Sequence, residues 1–262
     1  MLLLLALLIA MPALSDDRTQ ARSMVISDRG IVATSQTLAS QAGAQVLARG
    51  GSAIDAAIAA DAVLGVVEPM SCGMGGDLFV LYWDAKTGKL TGLNASGWSP
   101  KALTPDFLRA QGRSSMPVAG IHAVTVPGCV NGWSKLHQRF GKLPWQELFQ
   151  PAVYYAEHGF PVTELIQAGW RNSLSILNSD DNARRLFLRD GAAPHVGEMF
   201  RNPQLAGALK LVATEGAEAF YRGLIAKAIL RTSDRLGGTL AAADLSEFDA
   251  EWVAPVSTEY RG

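Results

Sequence analysis

The stretch from Glu68 to Pro100, EPMSCGMGGDLFVLYWDAKTGKLTGLNASGWSP, has the most informative pattern in the chain. A glycine-rich loop at residues 73–76 leads directly into an almost continuously apolar segment at residues 77–83, which is typical of a strand covered on both faces. A polar turn containing Gly88 follows, and residues 89–95 return as a second strand. This order predicts a β-hairpin whose end loops form the platform of a site.

Two helices are predicted before this hairpin. Residues 36–49 have helical apolar spacing and stop at Gly50, where the position after a helix favours a positive φ. Ser52 and Asp55 form a capping-box pattern that begins a second, alanine-rich helix at residues 53–67. Asp61 is interpreted as an exposed or paired carboxylate of that helix.

The remaining pattern alternates between short strands and helices. Further strands are predicted at residues 31–34, 124–128 and 252–260, and residues 179–182 are predicted as a turn. Further helices are predicted at residues 130–140, 144–158, 163–177, 203–214 and 224–231. A break or kink is expected at Pro151, because proline lacks the N–H that the helix ladder needs.

Composition and charge exclude several classes of protein. The chain has 262 residues, 48% of them hydrophobic and 18% charged, which is typical of a globular protein. The formal net charge of −1 gives no broad basic field for nucleic acid. The two cysteines, Cys72 and Cys129, form neither a metal motif nor a disulfide framework and are interpreted as buried small hydrophobes.

The N-terminus has the pattern of an export signal. Residues 2–10 are an apolar run too short to cross a bilayer, and residues 13–15 provide a small-x-small cleavage pattern. A signal peptide at residues 1–15, a loose segment at 16–27 and a periplasmic or extracellular location are therefore predicted, with no stable membrane span after cleavage. The usual basic region before the apolar run is missing, and a buried N-terminal helix is the alternative.

The glycine-rich loop at residues 73–76 matches neither common phosphate-binding motif. No Gly-Lys-Ser/Thr follows it, which excludes a P-loop. The order helix, glycines, strand is the reverse of the dinucleotide-binding order. A tight helix-to-strand turn and an anion or oxyanion pocket both remain open.

No convincing nucleophile and base occur together in this sequence. Ser71 lacks the first glycine and the strand–turn–helix context of a nucleophile elbow. The four histidines show no paired metal spacing, and each is interpreted as structural. A catalytic chain needs such a pair, so part of the active site is expected beyond Gly262.

Several blocks taken in order resemble the γ-glutamyltranspeptidase family of N-terminal nucleophile hydrolases. The blocks are IVATS (31–35), AQVLARGGSAIDAAIA (44–59), CGMGGDLF (72–79), VPGCVNGW (126–133), QPA (150–152), HGFPV (158–162) and residues 245–262. Each block is weak by itself, whereas their common order is specific and covers nearly all of the chain after residue 25.

The resemblance implies a fold, a chemistry and a partner. The fold is a four-layer αββα sandwich of the α/β (α+β) class, incomplete here, with residues 28–262 forming part of the large-subunit domain. A proenzyme cleaves itself into a large and a small subunit, and the new N-terminal threonine of the small subunit is nucleophile and base. That threonine transfers the γ-glutamyl group of glutathione or a related amide to water or an amino acid, with no metal or organic cofactor.

One departure from the family pattern concerns substrate binding. Ser96 stands where the family's transpeptidases carry an arginine for the glutamyl α-carboxylate, and a hydroxyl cannot replace a bidentate guanidinium. Arg113, in the next loop, is a possible source of the charge. The substrate-binding residues implied by the resemblance are Ser96, Gly97, Trp98, Gly75, Gly76 and Arg113. No catalytic residue is assigned, because the family's nucleophile region lies beyond Gly262.

Three functions therefore stay open for the sequence. The first is a γ-glutamyltransferase or glutathione hydrolase, and the second is an acylase of the same fold for substrates without a glutamyl α-carboxylate. The third is a non-catalytic binding or assembly module. The isolated chain is expected to be inactive and poorly soluble, because a piece of a sandwich exposes strand edges and an apolar face.

Overall fold

The computed structural model describes residues 24–262. Residues 24–31 contain no helix or strand, and residues 32–262 form a separate compact unit. The predicted signal peptide and residues 16–23 of the predicted loose segment lie outside the described residues. Within the described part, no helix combines the length and the apolar character that crossing a membrane would require.

The described chain is an α+β structure. Its helices are α1 (Thr37–Ala48), α2 (Ala53–Val67), α3 (Pro105–Ala110), α4 (Cys129–Phe140), α5 (Trp145–His158), α6 (Glu164–Asn172), α7 (Leu174–Asn178), α8 (Asp181–Phe187), α9 (Pro203–Glu215), α10 (Ala217–Tyr221), α11 (Leu224–Arg235) and α12 (Ala242–Ser246). Its strands are β1 (Leu78–Asp84), β2 (Lys89–Ala95), β3 (Phe160–Pro161), β4 (Met199–Phe200) and β5 (Glu251–Val253).

The main sheet is antiparallel and has the order β1-β2-β5. β1 and β2 form the predicted hairpin, with Leu78 opposite Ala95 at one end and Asp84 opposite Lys89 at the other. The turn between them contains Gly88 at φ +63°, as its sequence predicts. Because β2 is central, its C-terminal end lies among neighbouring elements, and the site is built there.

Helix α2 lies at the centre of the core and begins with the predicted capping box. Ser52 Oγ accepts from Asp55 N at 3.0 Å, and Asp55 Oδ2 accepts from Ser52 N at 2.8 Å. The same Asp55 oxygen also accepts from the backbone N–H groups of Lys142 and Leu143 at 2.9 and 3.1 Å. The cap of one helix therefore also fixes the loop between α4 and α5.

The sheet packs on the helices through one face only. Leu78, Val80 and Tyr82 are partly buried against the core, whereas the alternate residues of β1 are exposed. The exposed fractions are 68% for Phe79, 70% for Leu81 and 59% for Trp83. The prediction of a strand covered on both faces is thus wrong for the described chain, because no described element lies over that face. We call these three side chains the outer β1 face.

Three predicted strands are absent or shorter. Residues 31–34 and 124–128 are not strands, and the last predicted strand is confined to β5. Their local β pattern has no adjacent strand to complete a ladder: Thr34 N bonds the Ser40 side chain, and Val126 N makes a single bond to Trp98 O.

Two further corrections concern the helices between residues 163 and 187. The helix predicted at residues 163–177 is divided into α6 and α7 at Ser173, whose side chain bonds back to Gly169 O at 3.0 Å. The predicted turn at residues 179–182 instead begins α8, because Asp180 Oδ1 caps it by accepting from Asn182 N and Ala183 N.

The expected break at Pro151 does not occur, and α5 is continuous from Trp145 to His158. Phe149 and Ala152, on either side of the proline, are fully buried. Tertiary packing therefore outweighs the loss of one helical hydrogen bond. Cys129 is buried as predicted, but Cys72 is only half-buried.

Candidate functional site

Three loops meet at the end of the β1–β2 hairpin, and we call residues 73–77, 94–98 and 126–129 the three-loop ledge. Gly76 O accepts hydrogen bonds from Gly128 N and Cys129 N, both at 3.0 Å. Val126 N donates to Trp98 O at 3.0 Å. These backbone contacts join the entry of β1, the exit of β2 and the start of α4 into one surface.

Glycine is required where the loops of the ledge approach each other. A Cβ atom on Gly97 would lie 1.5 Å from Val126 O, and one on Gly128 would lie 1.9 Å from Ala95 O. Both contacts are with backbone atoms, so no side-chain rotation can relieve them. The ledge therefore depends on two glycines that bring backbones together, not on glycines with a positive φ.

A carboxylate connects two loops of the ledge. Asp77 Oδ1 accepts from Gly97 N at 3.0 Å, and Ser96 Oγ donates to Asp77 Oδ2 at 3.4 Å. Asn94 Oδ1 accepts from Ser96 N at 2.9 Å and holds the same loop from its other side. The sequence reasoning named Ser96 and Gly97 but missed Asp77, although Asp77 and Ser96 are the next residues outward from the pair Leu78 and Ala95.

Five of the six residues predicted to bind substrate lie on this ledge. Gly75 and Gly76 belong to a tight turn closed by the bond from Gly76 N to Gly73 O at 3.0 Å. Trp98 is 40% exposed and packs edge-to-face on Phe248, with ring centroids 5.0 Å apart. The structure thus brings Ser96, Gly97, Trp98, Gly75 and Gly76 together.

Arg113 makes no hydrogen bond or ion pair with this group among the described residues. It follows α3, where its backbone N–H donates to Leu108 O at 3.0 Å. Its side chain makes no hydrogen bond or ion pair with another described residue. Residues 94–98 therefore receive no described guanidinium partner.

A partly buried carboxylate, Asp61, lies next to the ledge. Asp61 Oδ2 accepts from Trp133 Nε1 at 2.8 Å and lies 3.7 Å from Cys129 Sγ. Burial raises the pKa of Asp61, and the two side-chain hydrogen bonds partly offset that effect. Asp61 is therefore a paired carboxylate, as predicted, and its partners come from α4.

The two thiols near the ledge are poor nucleophiles at neutral pH. Burial raises the pKa of Cys72 to about 11, with further contributions from the negative charges of Asp61 and Glu68. Burial also raises the pKa of Cys129 well above its usual value, again with a contribution from Asp61. Because their pKa values are raised, both groups are neutral thiols at neutral pH. Only the thiolate is a good nucleophile, so neither cysteine is reactive in this setting.

No serine, threonine or cysteine side chain is hydrogen-bonded to a histidine in the part of the chain that the structure describes. His137 Nε2 bonds Leu143 O at 2.8 Å, and His158 Nδ1 bonds Tyr154 O at 3.2 Å. Neither histidine bonds a described serine, threonine or cysteine side chain.

Comparison with known proteins agrees with this architecture. Residues 39–262 match the sequence model of the family described as Gamma-glutamyltranspeptidase. The chain is 38% identical over 239 residues to the "Glutathione hydrolase-like YwrD proenzyme" of Bacillus subtilis, covering 91% of this chain and 45% of that relative. It thus spans about half the length of that relative.

Solved structures show the same fold. The γ-glutamyltranspeptidase of Helicobacter pylori superposes with a TM-score of 0.86 at 29% identity, over 92% of this chain and 70% of that chain. A cephalosporin acylase from Bacillus halodurans superposes with a TM-score of 0.83 at 40% identity, over 92% of this chain and 47% of that one. The predicted fold class is confirmed, and the chain belongs to the γ-glutamyltranspeptidase family.

Proposed function

We propose that the protein carrying this chain transfers a γ-glutamyl group from glutathione or a related amide to water or to an amino acid. The observation that carries the proposal is the three-loop ledge, built at the end of the sheet in a chain of this family. Its glycines bring backbone close to a surface where an amide substrate can lie. Ser96, Gly97, Trp98, Gly75 and Gly76 are the proposed contacts.

The proposed nucleophile is an N-terminal threonine that lies beyond Gly262 and is released when the precursor cleaves itself. Its hydroxyl attacks the amide carbonyl while its own amine accepts the proton. The C–N bond breaks, the proton passes to the leaving amine, and an acyl ester remains on the threonine. Water or an amino acid then attacks the ester and regenerates the hydroxyl.

The partner proposed for this chain is the small subunit of the same precursor. Two features support it: β1 has no described neighbour on one edge, and the outer β1 face is apolar and exposed. Covering Phe79, Leu81 and Trp83 would remove three large side chains from water, each contributing about 1.5–3 kcal/mol when fully buried.

A second function, an acylase, is favoured by one feature of the same ledge. Residue 96 is serine, and no described arginine or lysine side chain donates a hydrogen bond to residues 94–98. A glutamyl α-carboxylate therefore gains no bidentate cation from this part of the site. Substrates without that carboxylate would lose no binding free energy from the absence of this cation.

The product of the complete reading frame tests both functions. Expression followed by gel electrophoresis should show cleavage into two chains, and a glutamine-analogue inactivator should label the smaller one. Faster hydrolysis of γ-glutamyl-p-nitroanilide than of a plain acyl anilide would favour the transferase, and the opposite order would favour the acylase. A product that neither cleaves nor becomes acylated would rule out both and leave the binding module.

We also propose that residues 1–15 direct export. Fusion of residues 1–27 to a reporter that is active only outside the cytoplasm should give activity, because the apolar run at residues 2–10 precedes a small-x-small pattern. Replacing two leucines of that run with lysine should abolish the signal. Equal reporter activity in both fusions would contradict export by this segment.

A further inference from the structure

We propose that Asp77 is a specificity-determining residue, which makes the ledge an anionic subsite for acyl donors with an ammonium group and no carboxylate. The inference rests on the second proposed function, the acylase, because it places on the ledge an acyl group that has no carboxylate. It adds the chemical class that the ledge selects and the side chain responsible.

The geometry holds the Asp77 carboxylate in a defined place. One oxygen accepts from Gly97 N at 3.0 Å and the other from Ser96 Oγ at 3.4 Å, so the group is fixed from two sides. Asp77 is nevertheless exposed. Each carboxylate oxygen accepts about two hydrogen bonds, so the pair keeps acceptor capacity for a ligand.

The charge of Asp77 is not neutralised within the described part of the chain. No arginine, lysine or histidine side chain of residues 24–262 forms an ion pair with Asp77. Other acidic side chains add to the negative field around the ledge. Burial is the main cause of the raised pKa of Cys72, and the charges of Asp61 and Glu68 raise it further. Burial is also the main cause of the raised pKa of Cys129, to which the charge of Asp77 contributes. No cation appears among the causes of either shift.

This arrangement determines which charge a substrate can bring to the ledge. A carboxylate beside Asp77 would be a like charge and is disfavoured, whereas an ammonium group would gain an ion pair and a charge-assisted hydrogen bond. The class selected is thus an amide of a short amino acid whose ammonium group reaches Asp77, such as a 4-aminobutanoyl amide.

Four matched p-nitroanilides separate the two charges: γ-glutamyl, with both groups; 4-aminobutanoyl, with the ammonium only; glutaryl, with the carboxylate only; and butanoyl, with neither. The purified product of the complete reading frame is assayed with each at low ionic strength, because salt screens exposed charges. We expect kcat/KM for the 4-aminobutanoyl substrate to be about fivefold higher than kcat/KM for the butanoyl substrate (~1 kcal/mol). We expect kcat/KM for the butanoyl substrate to be higher than that for the glutaryl substrate by about the same factor.

The test variant is Asp77→Asn, which keeps an acceptor for Gly97 N and removes the charge. The kcat/KM ratio of 4-aminobutanoyl to butanoyl and that of butanoyl to glutaryl should both fall towards one in this variant. Asp77→Glu keeps the charge and should retain part of both ratios. The matched control is Asp84→Asn, at the other end of β1 and about 20 Å away, where Asp84 Oδ1 also accepts a backbone N–H. A merely structural role would lower kcat/KM for all four substrates together and leave the ratios unchanged.

The outcomes separate this inference from the proposed function. If the Asp77→Asn variant still cleaves itself and turns over the substrates with the same kcat/KM ratios as the wild type, the inference is overturned and the proposed function stands. A wild-type preference for glutaryl over butanoyl would also overturn it. Absence of turnover and of acylation with every substrate would overturn the proposed function, and the inference with it.

Discussion

Replacing Asp55 with alanine should destabilise the fold by about 3 kcal/mol. Asp55 is fully buried, and its Oδ2 accepts three backbone N–H groups, from Ser52, Lys142 and Leu143. Losing the Asp55 half of the capping box, the bond from Ser52 N, costs about 1 kcal/mol, while the bond from the backbone N–H of residue 55 to Ser52 Oγ remains. The N–H groups of Lys142 and Leu143 lie near the surface, so we assign each the lower limit of about 1 kcal/mol for an unsatisfied donor.

The assay is urea unfolding of the purified protein, followed by tryptophan fluorescence and checked by pulse proteolysis. Asp55→Asn keeps one acceptor oxygen and should lose only about 1 kcal/mol. Asp181→Ala removes an exposed carboxylate that pairs with Arg184, and it should change stability by less than about 0.5 kcal/mol. A loss below about 1 kcal/mol for Asp55→Ala, or an equal loss for Asp181→Ala, would refute the assignment of Asp55 as the connection between α2 and the α4–α5 loop.

Three further predictions test the ledge and its surroundings. Gly97→Ala should abolish turnover, because its Cβ would lie 1.5 Å from Val126 O, whereas Gly207→Ala, in open space on α9, should stabilise the protein by ~1 kcal/mol. Cys72 should react slowly with iodoacetamide at pH 8 and faster as the pH rises towards about 11, because only the thiolate reacts. The isolated segment of residues 24–262 should self-associate in sedimentation experiments through the outer β1 face, and Leu81→Lys should reduce that association.

Each of these has a clear contrary result. Normal kcat/KM in Gly97→Ala would show that the ledge is not part of the site. Rapid alkylation of Cys72 at pH 7 would show that its thiol is not held in the neutral form. A monodisperse monomer with a cooperative melt would show that the outer β1 face does not cause association.

Local patterns predicted the helices and the hairpin well. The capping box of Ser52 and Asp55 involves residues three apart, and the turn at Gly88 needs only its own backbone conformation. Nonlocal packing decided two of the failures: residues 124–128 have no adjacent strand in the described chain, and α5 continues through Pro151 because Phe149 and Ala152 are buried. The division at Ser173 and the start of α8 at Asp180 depend instead on local side-chain hydrogen bonds. A local β or helix preference is weak beside the packing that satisfies or outweighs it.

The same division applies to the site. The glycines at residues 75, 76 and 97 were identified from the sequence as substrate-binding positions through the family resemblance. Asp77 was not identified, because its role depends on Gly97, 20 residues away, and on the register that sets Leu78 opposite Ala95. The partner of Asp61 was equally hidden, since Trp133 is 72 residues from it.

By itself, the sequence determined the family, the central helix α2 and the hairpin whose end loops form the site. Those features depend on residue order, capping and turn chemistry, which act over a few positions. The tertiary structure alone decided that three loops meet in one ledge and that Asp77 adds there a negative charge with no ion-pair partner among residues 24–262. The physical reason is that contacts between distant residues form only when the whole core packs, so no local pattern records them.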